Sequence, residues 1–526
     1  MKILFNAQIY CFDNQGTKAS VIVVDHGRVI AVGDEALLES FGSRVDREDM
    51  AGRVILPGLT DAHFHLMHYA LSLKKVDVET ESKQEALRRV AAQAAEIPAG
   101  EWVLGHGWQQ NDWGGDFPTA AELDAVAPDH PVYLTSKSLH SSWLNTVALK
   151  RAGIGAFTSD PENGKIVRDE SGKPNGILLE TAMDLVNSAI PTPTAAEICE
   201  SIETAIPKLW QYGLTGIHDF DYRPAFVAMQ MLDGEKKLKF RVTKSVPLEL
   251  LPHAAALGLR TGFGSEYLRI GSVKLFMDGA LGPRTAAMLA PYLNEPENRG
   301  ILNMDGEQFF EYGRQAAGAG LSITGHAIGD RAVHEILDGF EQLRSYERDN
   351  RLPALRHRIE HVQIIHPDDA GRLGRMGIIA SMQPIHATSD MYAAEKYWGQ
   401  RAELAYAWRT QLNYGAVLAF GSDAPVETPN PFLGLYSAIT RKRAHESAEK
   451  HGWHVGQCLT RREAMEAYTI GPAFAAMQEN ELGRLLPGYY ADLIVLEKDP
   501  FTCEPDELPA MHPVATMLAG EWVWQG

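Results

Sequence analysis

The chain has 526 residues, 45% hydrophobic and 22% charged, which is ordinary folded-protein composition with room for roughly two to four domains. Its formal net charge of −19 argues against nucleic acid or an anionic membrane as a partner. The four cysteines, Cys11, Cys199, Cys458 and Cys503, are scattered with no C-x-x-C pair. That excludes a disulfide framework or zinc ribbon and leads to the expectation of a reduced, cytoplasmic protein.

The opening segment MKILFNAQIYCFD alternates apolar residues and reads as a strand rather than a signal peptide. Residues 2–56 continue as short strands separated by the turn signals DNQG, DHG and GD. No apolar run reaches the ~18 residues of a membrane span. The C-terminal segments ADLIVLEKD and PVATMLAGEWVWQG have the same character. Two β-rich ends are expected to form one composite β-sandwich, residues 1–57 with 478–526, because neither half covers its own faces and edges.

Between them, over 58–477, short apolar runs alternate with helical periodicity. The candidate strands are VILPGLTDAH, GLTGIHDFD, FRVTKSV, RIGSVKLFMDG, LSITGHAIGD, RHRIEHVQ, GIIASMQP and VLAFGSDAP. GEQFFEYGRQAAGAG and DRAVHEILDGFEQLRSYERD are among the intervening helices. β-then-α units in this number predict a (β/α)8 TIM barrel of the α/β class, with its active site at the C-terminal strand ends. About 140 residues separate the first two barrel strands. That is too long for a bare loop, so an inserted subdomain is expected at about 75–205.

Six strand-end residues carry the chemistry: His63 and His65 in DAHFH, then Lys274, His326, His361 and Asp423. Residues i and i+2 of a strand share a face, so His63 and His65 can reach one ion. Imidazole suits zinc and similar metals. A buried lysine leaves two readings open: a carbamate formed with carbon dioxide, or an ammonium that pairs Asp278 or binds substrate. A carboxylate at Asp423 can ligate a metal and take the proton of water.

These motifs resemble the amidohydrolase superfamily, and within it the amidohydrolase-3 (YtcJ-like) branch that includes N-substituted formamide deformylase. LPGLTDAHFHL, SVKLFMDGALGPRTA, GHAIGDRAV, RIEHVQIIHPDD, SMQPIHATSD, GSDAP and LGRLLPGYYADLIVL carry the resemblance, across nearly the whole chain. It implies His63 and His65 on a more buried metal and His326 and His361 on a more exposed one. It also implies Lys274 as an N6-carboxylated bridge and Asp423 as ligand and general base. Ala280 and Pro283 stand where the branch leads one to expect serines.

The implied reaction is hydrolysis of a non-peptide C–N bond, a linear amide first, by attack of a metal-bound hydroxide with Asp423 as base. One or two divalent ions, zinc first, are expected, with a small-molecule substrate and a homodimer as the default assembly. Cyclic amidase, deaminase and esterase chemistry remain alternatives on the same site, as does a non-catalytic barrel protein. Trp108, Glu180, Arg284, Gln383 and His386 are candidate substrate contacts, and His140 a candidate donor to the oxyanion. Arg284 is read either as an anion clamp or as a partner of Asp278, and Asp330 as a helix N-cap.

Overall fold

A computed structural model of the chain describes residues 1–41, 45–109, 113–136, 141–162, 164–444 and 451–526. It divides into two compact units, one of Met1–Tyr69 with Cys199–Gly526 and one of Ala70–Ile198.

The first unit holds an eight-stranded parallel sheet of β1 (Leu59–Phe64), β2 (Leu214–Asp219), β3 (Arg241–Pro247), β4 (Leu268–Phe276), β5 (Ile323–Ala327), β6 (Arg358–His361), β7 (Ile379–Met382) and β8 (Leu418–Phe420), paired in chain order. The first and last strands meet at their C-terminal ends, where His65 N donates to Ala424 O at 3.0 Å and Asp423 N to His63 O at 2.8 Å. The sheet thereby closes as the (β/α)8 barrel read from the sequence. Most strand residues are buried, as both faces of a barrel sheet require, which is why the strands read as apolar runs rather than as alternation.

The helices between strands bury one stripe each. In Asp330–Asp349 the buried Ala332, Val333, Ile336, Leu337, Phe340 and Leu343 recur at helical spacing. The helix Gly306–Gly318 starts in a reciprocal cap, Gln308 N donating to Asp305 Oδ1 at 2.8 Å and Asp305 N to Gln308 Oε1 at 3.2 Å. Asp330 is not an N-cap: Gly329 holds that position, and Asp330 Oδ1 accepts from Leu289 N at 2.7 Å.

Two further sheets belong to this unit. One orders Arg28–Gly33, Val21–Asp25, Lys2–Phe5 and Asp46–Asp49. The other orders Glu521–Gln525, Ala515–Leu518, Leu493–Leu496, Val54–Pro57, Gln8–Tyr10 and Lys18–Ala19. Leu4, Ile22 and Val24 of the first share one apolar core with Ile55, Leu493, Val495 and Met517 of the second. The run VILPGLTDAH, read as one strand, is two: Val54–Pro57 pairs with Leu493–Leu496, and β1 starts only after Gly58. A Cβ at Gly58 would lie 2.4 Å from Thr215 Oγ1, so the hand-over between sheets needs glycine.

The second unit carries a six-stranded mixed sheet, Gly164–Arg168, Pro174–Glu180, Ser141–Leu144, Val132–Ser136, Val103–Trp108 and Val76–Asp77. Its core includes Trp108, Leu134, Trp143 and Ile177. Among the described residues no helix is long and apolar enough to cross a membrane.

Candidate metal centre

The strand register sets the site. Phe276 of β4 stands level with His326 of β5, and Ala327 with His361 of β6. His63, His65, Lys274, His326, His361 and Asp423 all line one cavity of about 410 Å³ at the C-terminal strand ends. One nitrogen each of His63 and His361 and one oxygen of Asp423 lie within 4.8 Å of one another. Asp423 Oδ1 is 3.6 Å from His63 Nε2 and 3.3 Å from His65 Nε2. The His326 and His361 rings are 4.6 Å apart.

Three of the four histidines are oriented from behind through Nδ1. His63 Nδ1 donates to Glu360 Oε2 at 2.6 Å and His65 Nδ1 to Asp221 Oδ1 at 3.2 Å. His361 Nδ1 donates to Gln383 Oε1 at 2.9 Å. His326 Nδ1 lies 3.2 Å from Asp278 Oδ1 but off the hydrogen-bond direction. A proton fixed on Nδ1 leaves the Nε2 lone pair for a cation. Three such imidazoles, with His326, a carboxylate and a buried amine, form a donor set suited to a borderline divalent ion.

The floor is charged. Arg358 reaches Glu360 with Nε at 2.5 Å from Oε1, and also donates to Ala62 O and Ser381 Oγ, each at 2.6 Å. Burial alone would raise the Glu360 carboxyl, but Arg358, His63 and Lys274 hold it well below the carboxylate range. Burial, reinforced by Lys274, lowers His63 to about 4. For His65 burial works downward, yet Asp221 and Asp423 push it up to about 9. Burial raises Asp423 less than the surrounding histidines lower it, so it stays ionised far below its usual range.

Lys274 is 5% exposed. Its Nζ lies 4.5 Å from the centre of the Phe220 ring and 5.1 Å from that of Phe276. Burial lowers it to about 8, against the pull of Glu360 and Asp423. Asp278 pairs with neither Lys274 nor Arg284 among the described residues. Its carboxylate accepts from the N–H groups of Ala287, Ile328 and Gly329 at 2.8–3.0 Å. His361, Val362 and Asp423 have φ of 76°, 45° and 60°, left-handed backbone that costs of order 1–3 kcal/mol per residue and marks these strand ends as held by their surroundings.

Trp108, Arg284 and Gln383 take roles other than the substrate contacts expected of them. Trp108 is fully buried in its own unit, its Nε1–H donating to Leu134 O at 2.8 Å beside Trp113 and Trp143, so no face is left for a ligand. Arg284 neither clamps the cavity nor meets Asp278; Nη1 pairs with Glu295 Oε1 at 2.6 Å. Gln383 is fully buried and holds His361. Glu180 is exposed at the end of Pro174–Glu180 in the second unit. His386 does line the cavity, with Nε2 4.0 Å from Asp423 Oδ2. His140 lies outside the described residues.

Sequence reasoning missed Glu360, Asp221, Phe220 and His68. Phe220 stacks on His63 at 4.2 Å. His68 Nδ1 donates to the same Asp221 oxygen as His65. Two of these had a signal: the acids in RIEH and HDFD sit beside strand ends already marked.

A sequence model of the Amidohydrolase family matches residues 47–524. The chain is 32% identical to YtcJ of Bacillus subtilis (strain 168), named as an amidohydrolase, over 98% of each chain. It is 28% identical to the N-substituted formamide deformylase of Arthrobacter pascens over 98% of this chain and 97% of that one. The crystal structure of an uncharacterized metal-dependent hydrolase from Pyrococcus furiosus superposes with a TM-score of 0.79 at 29% identity, covering 95% of this chain and 100% of the other. The chain therefore belongs to the amidohydrolase family and is a metal-dependent hydrolase acting on carbon–nitrogen bonds other than peptide bonds.

Proposed function

We propose that the chain cleaves a linear amide, with His63, His65, Lys274, His326, His361 and Asp423 holding one or two divalent ions, zinc first. The observation that carries this reading is the convergence of His63, His361 and Asp423 within 4.8 Å of one another on strand ends that also bring His65, Lys274 and His326 to the same cavity. The similarity to a protein named as a formamide deformylase puts a linear amide ahead of a ring substrate.

A divalent ion in this donor set supplies Lewis acidity for the carbonyl and lowers the pKa of water. The protein's own residues do the rest. Glu360, Asp221 and Gln383 keep Nδ1 protonated on His63, His65 and His361. Asp423, ionised and facing His63 and His65, takes the proton of the attacking water and returns it to the leaving nitrogen.

Lys274 has no carboxylate partner at ion-pair distance among the described residues, only the Phe220 and Phe276 rings. Its ammonium first gives one proton to solvent; the neutral amine then adds to carbon dioxide, an N–C bond forming as a C=O π bond opens, and loses a second proton to leave an anionic carbamate. Such a carbamate would supply an anionic oxygen donor to any divalent ion held by the neighbouring histidines.

The test is metal analysis of protein purified without chelator, together with release of amine from a panel of linear amides. One or two zinc ions per chain are expected. Asp423→Asn is expected to lower kcat by about 100–10,000-fold. A chain that purifies with near-zero metal overturns the reading, and ammonia released from a ring substrate replaces it with deamination.

A further inference from the structure

The cavity at the strand ends has two unlike walls. One is apolar, with Phe276, Leu281 and Ile328. The other carries His386, Asp390 and Glu427, none of them in the proposed ligand set. Asp390 lies on the helix Pro384–Trp398, and the Tyr406 hydroxyl donates to its Oδ2 at 2.6 Å. Glu427 follows β8. Burial, with Asp390 and Asp423 adding to it, pushes its carboxyl above the ordinary range against the pull of Ser389 and His386.

Two acids alone are most simply a solvated face. Here a third group points the same way. His386 is 6% exposed, and neither ring nitrogen has a hydrogen-bond partner. Leaving a buried polar group unmatched is unfavourable, and a ligand in the cavity removes that cost. Among the described lining residues there is no arginine, and the only lysine is Lys274.

We propose that this wall binds a protonated amino group of the substrate, so that the amide cleaved belongs to the linear amides that carry a primary ammonium. An ammonium presents three N–H donors and no acceptor. Asp390, Glu427 and an imidazole nitrogen of His386 present three acceptors. A substrate carboxylate would instead meet two like charges and no guanidinium, since Arg284 is taken by Glu295. A cavity of about 410 Å³ suits a small molecule with a short alkyl spacer. The inference rests on the hydrolase reading above and narrows its substrate class.

The experiment uses the full zinc-loaded chain and three acetamides with one scissile bond: N-acetyl-1,4-diaminobutane, N-acetylbutylamine and N-acetyl-4-aminobutanoate. One charge-assisted contact predicts kcat/KM about 10–100-fold higher for the ammonium than for the neutral amide, with the anionic amide last. In Glu427→Gln, and separately in Asp390→Asn, the ammonium-to-neutral ratio falls at least fivefold, roughly the loss of one such contact. The second variant guards against the first failing to fold.

A neutral or anionic preference, or a ratio that survives both variants, overturns the subsite and leaves the hydrolase reading standing. If no amide is cleaved, the linear-amide reading falls, and calorimetry with butylammonium and butanoate decides the subsite. Selective butylammonium binding lost in both variants supports it; absent or unselective binding overturns it. An additional zinc per chain that disappears in both variants also overturns it, in favour of a metal site.

Discussion

Glu360→Gln tests whether the site depends on the layer behind the ligands. In the wild-type chain the Glu360 carboxylate is fully buried. It accepts from His63 Nδ1 at 2.6 Å, from Thr324 Oγ1 at 2.7 Å and from Arg358 Nη2 at 3.0 Å, and pairs with Arg358 Nε at 2.5 Å. Glutamine keeps the size and one acceptor oxygen but loses the charge and the second acceptor. Breaking one side of a buried pair costs about 3–5 kcal/mol, and the retained oxygen places this change at the low end, about 3 kcal/mol. With unfolding entropy of about 2 cal/mol/K per residue, a chain of 526 residues loses only about 3 °C in Tm.

Metal affinity responds far more, because an imidazole without its charged acceptor is a weaker donor and turns more freely. A loss of about 10–100-fold is expected. The assay is zinc titration against a competing chelator, with thermal melting of the metal-free protein alongside. If Glu360→Gln holds zinc as tightly as wild type, the argument that this carboxylate orients a ligand is wrong. A large collapse in Tm with unchanged affinity would instead give Glu360 a purely structural role.

Gly58→Ala places a Cβ 2.4 Å from Thr215 Oγ1 and 2.5 Å from Thr215 Cγ2. It should cost about 1–3 kcal/mol by overpacking, read as a lower urea midpoint, and Thr215→Ala in the same chain should recover most of it. Glu463 gives a pH-dependent case away from the site. Its bonds to Arg409 lower it from 4.5 to about 2. A carboxyl depressed on folding stabilises above its unfolded pKa and loses that contribution as pH falls through the folded one. The gap between the chain and Glu463→Gln, about 1–2 kcal/mol after solvent screening, should therefore close between about pH 4.5 and 2. A constant gap by urea titration across that range refutes the assignment.

The barrel was legible because parallel strands buried on both faces write themselves as short apolar runs, and because helices such as Asp330–Asp349 keep strict periodicity between them. The boundary of the first strand was not. VILPGLTDAH is apolar throughout because Val54–Pro57 and Leu59–Phe64 are each buried, in different sheets, and only Gly58 marks the change. Trp108 misled for a related reason. An aromatic-rich segment reads equally as a pocket wall or a core, and the indole N–H bonded to Leu134 O depends on a strand partner that one segment cannot reveal. Arg284 likewise sits beside Asp278 in sequence, yet Glu295 holds it.

The layer behind the histidines was hidden because each acceptor comes from a different strand than the ligand it serves. Glu360 of β6 crosses the barrel to His63 of β1, and Asp221, just past β2, reaches His65. Arg358 and Glu360, two apart on one strand, share a face, and a charged pair of this kind normally reads as outward. Here the face is the barrel interior, and the pair is tolerated because His63, Thr324, Ser381 and Ala62 O supply most of its further hydrogen bonds. The acceptors also differ in kind. Carboxylates stand behind His63 and His65, a neutral amide behind His361, and behind His326 a carboxylate already committed to three backbone N–H groups. Charge behind an imidazole raises the basicity of its opposite nitrogen, so His63, at the end of β1, and His65, just past it, are expected to be the stronger donors to a cation. On the two-ion proposal, the ion held by His326 and His361 should therefore leave first on dilution: in zinc titration His326→Ala should remove the weaker binding step, and loss of the tighter step instead would reverse this order.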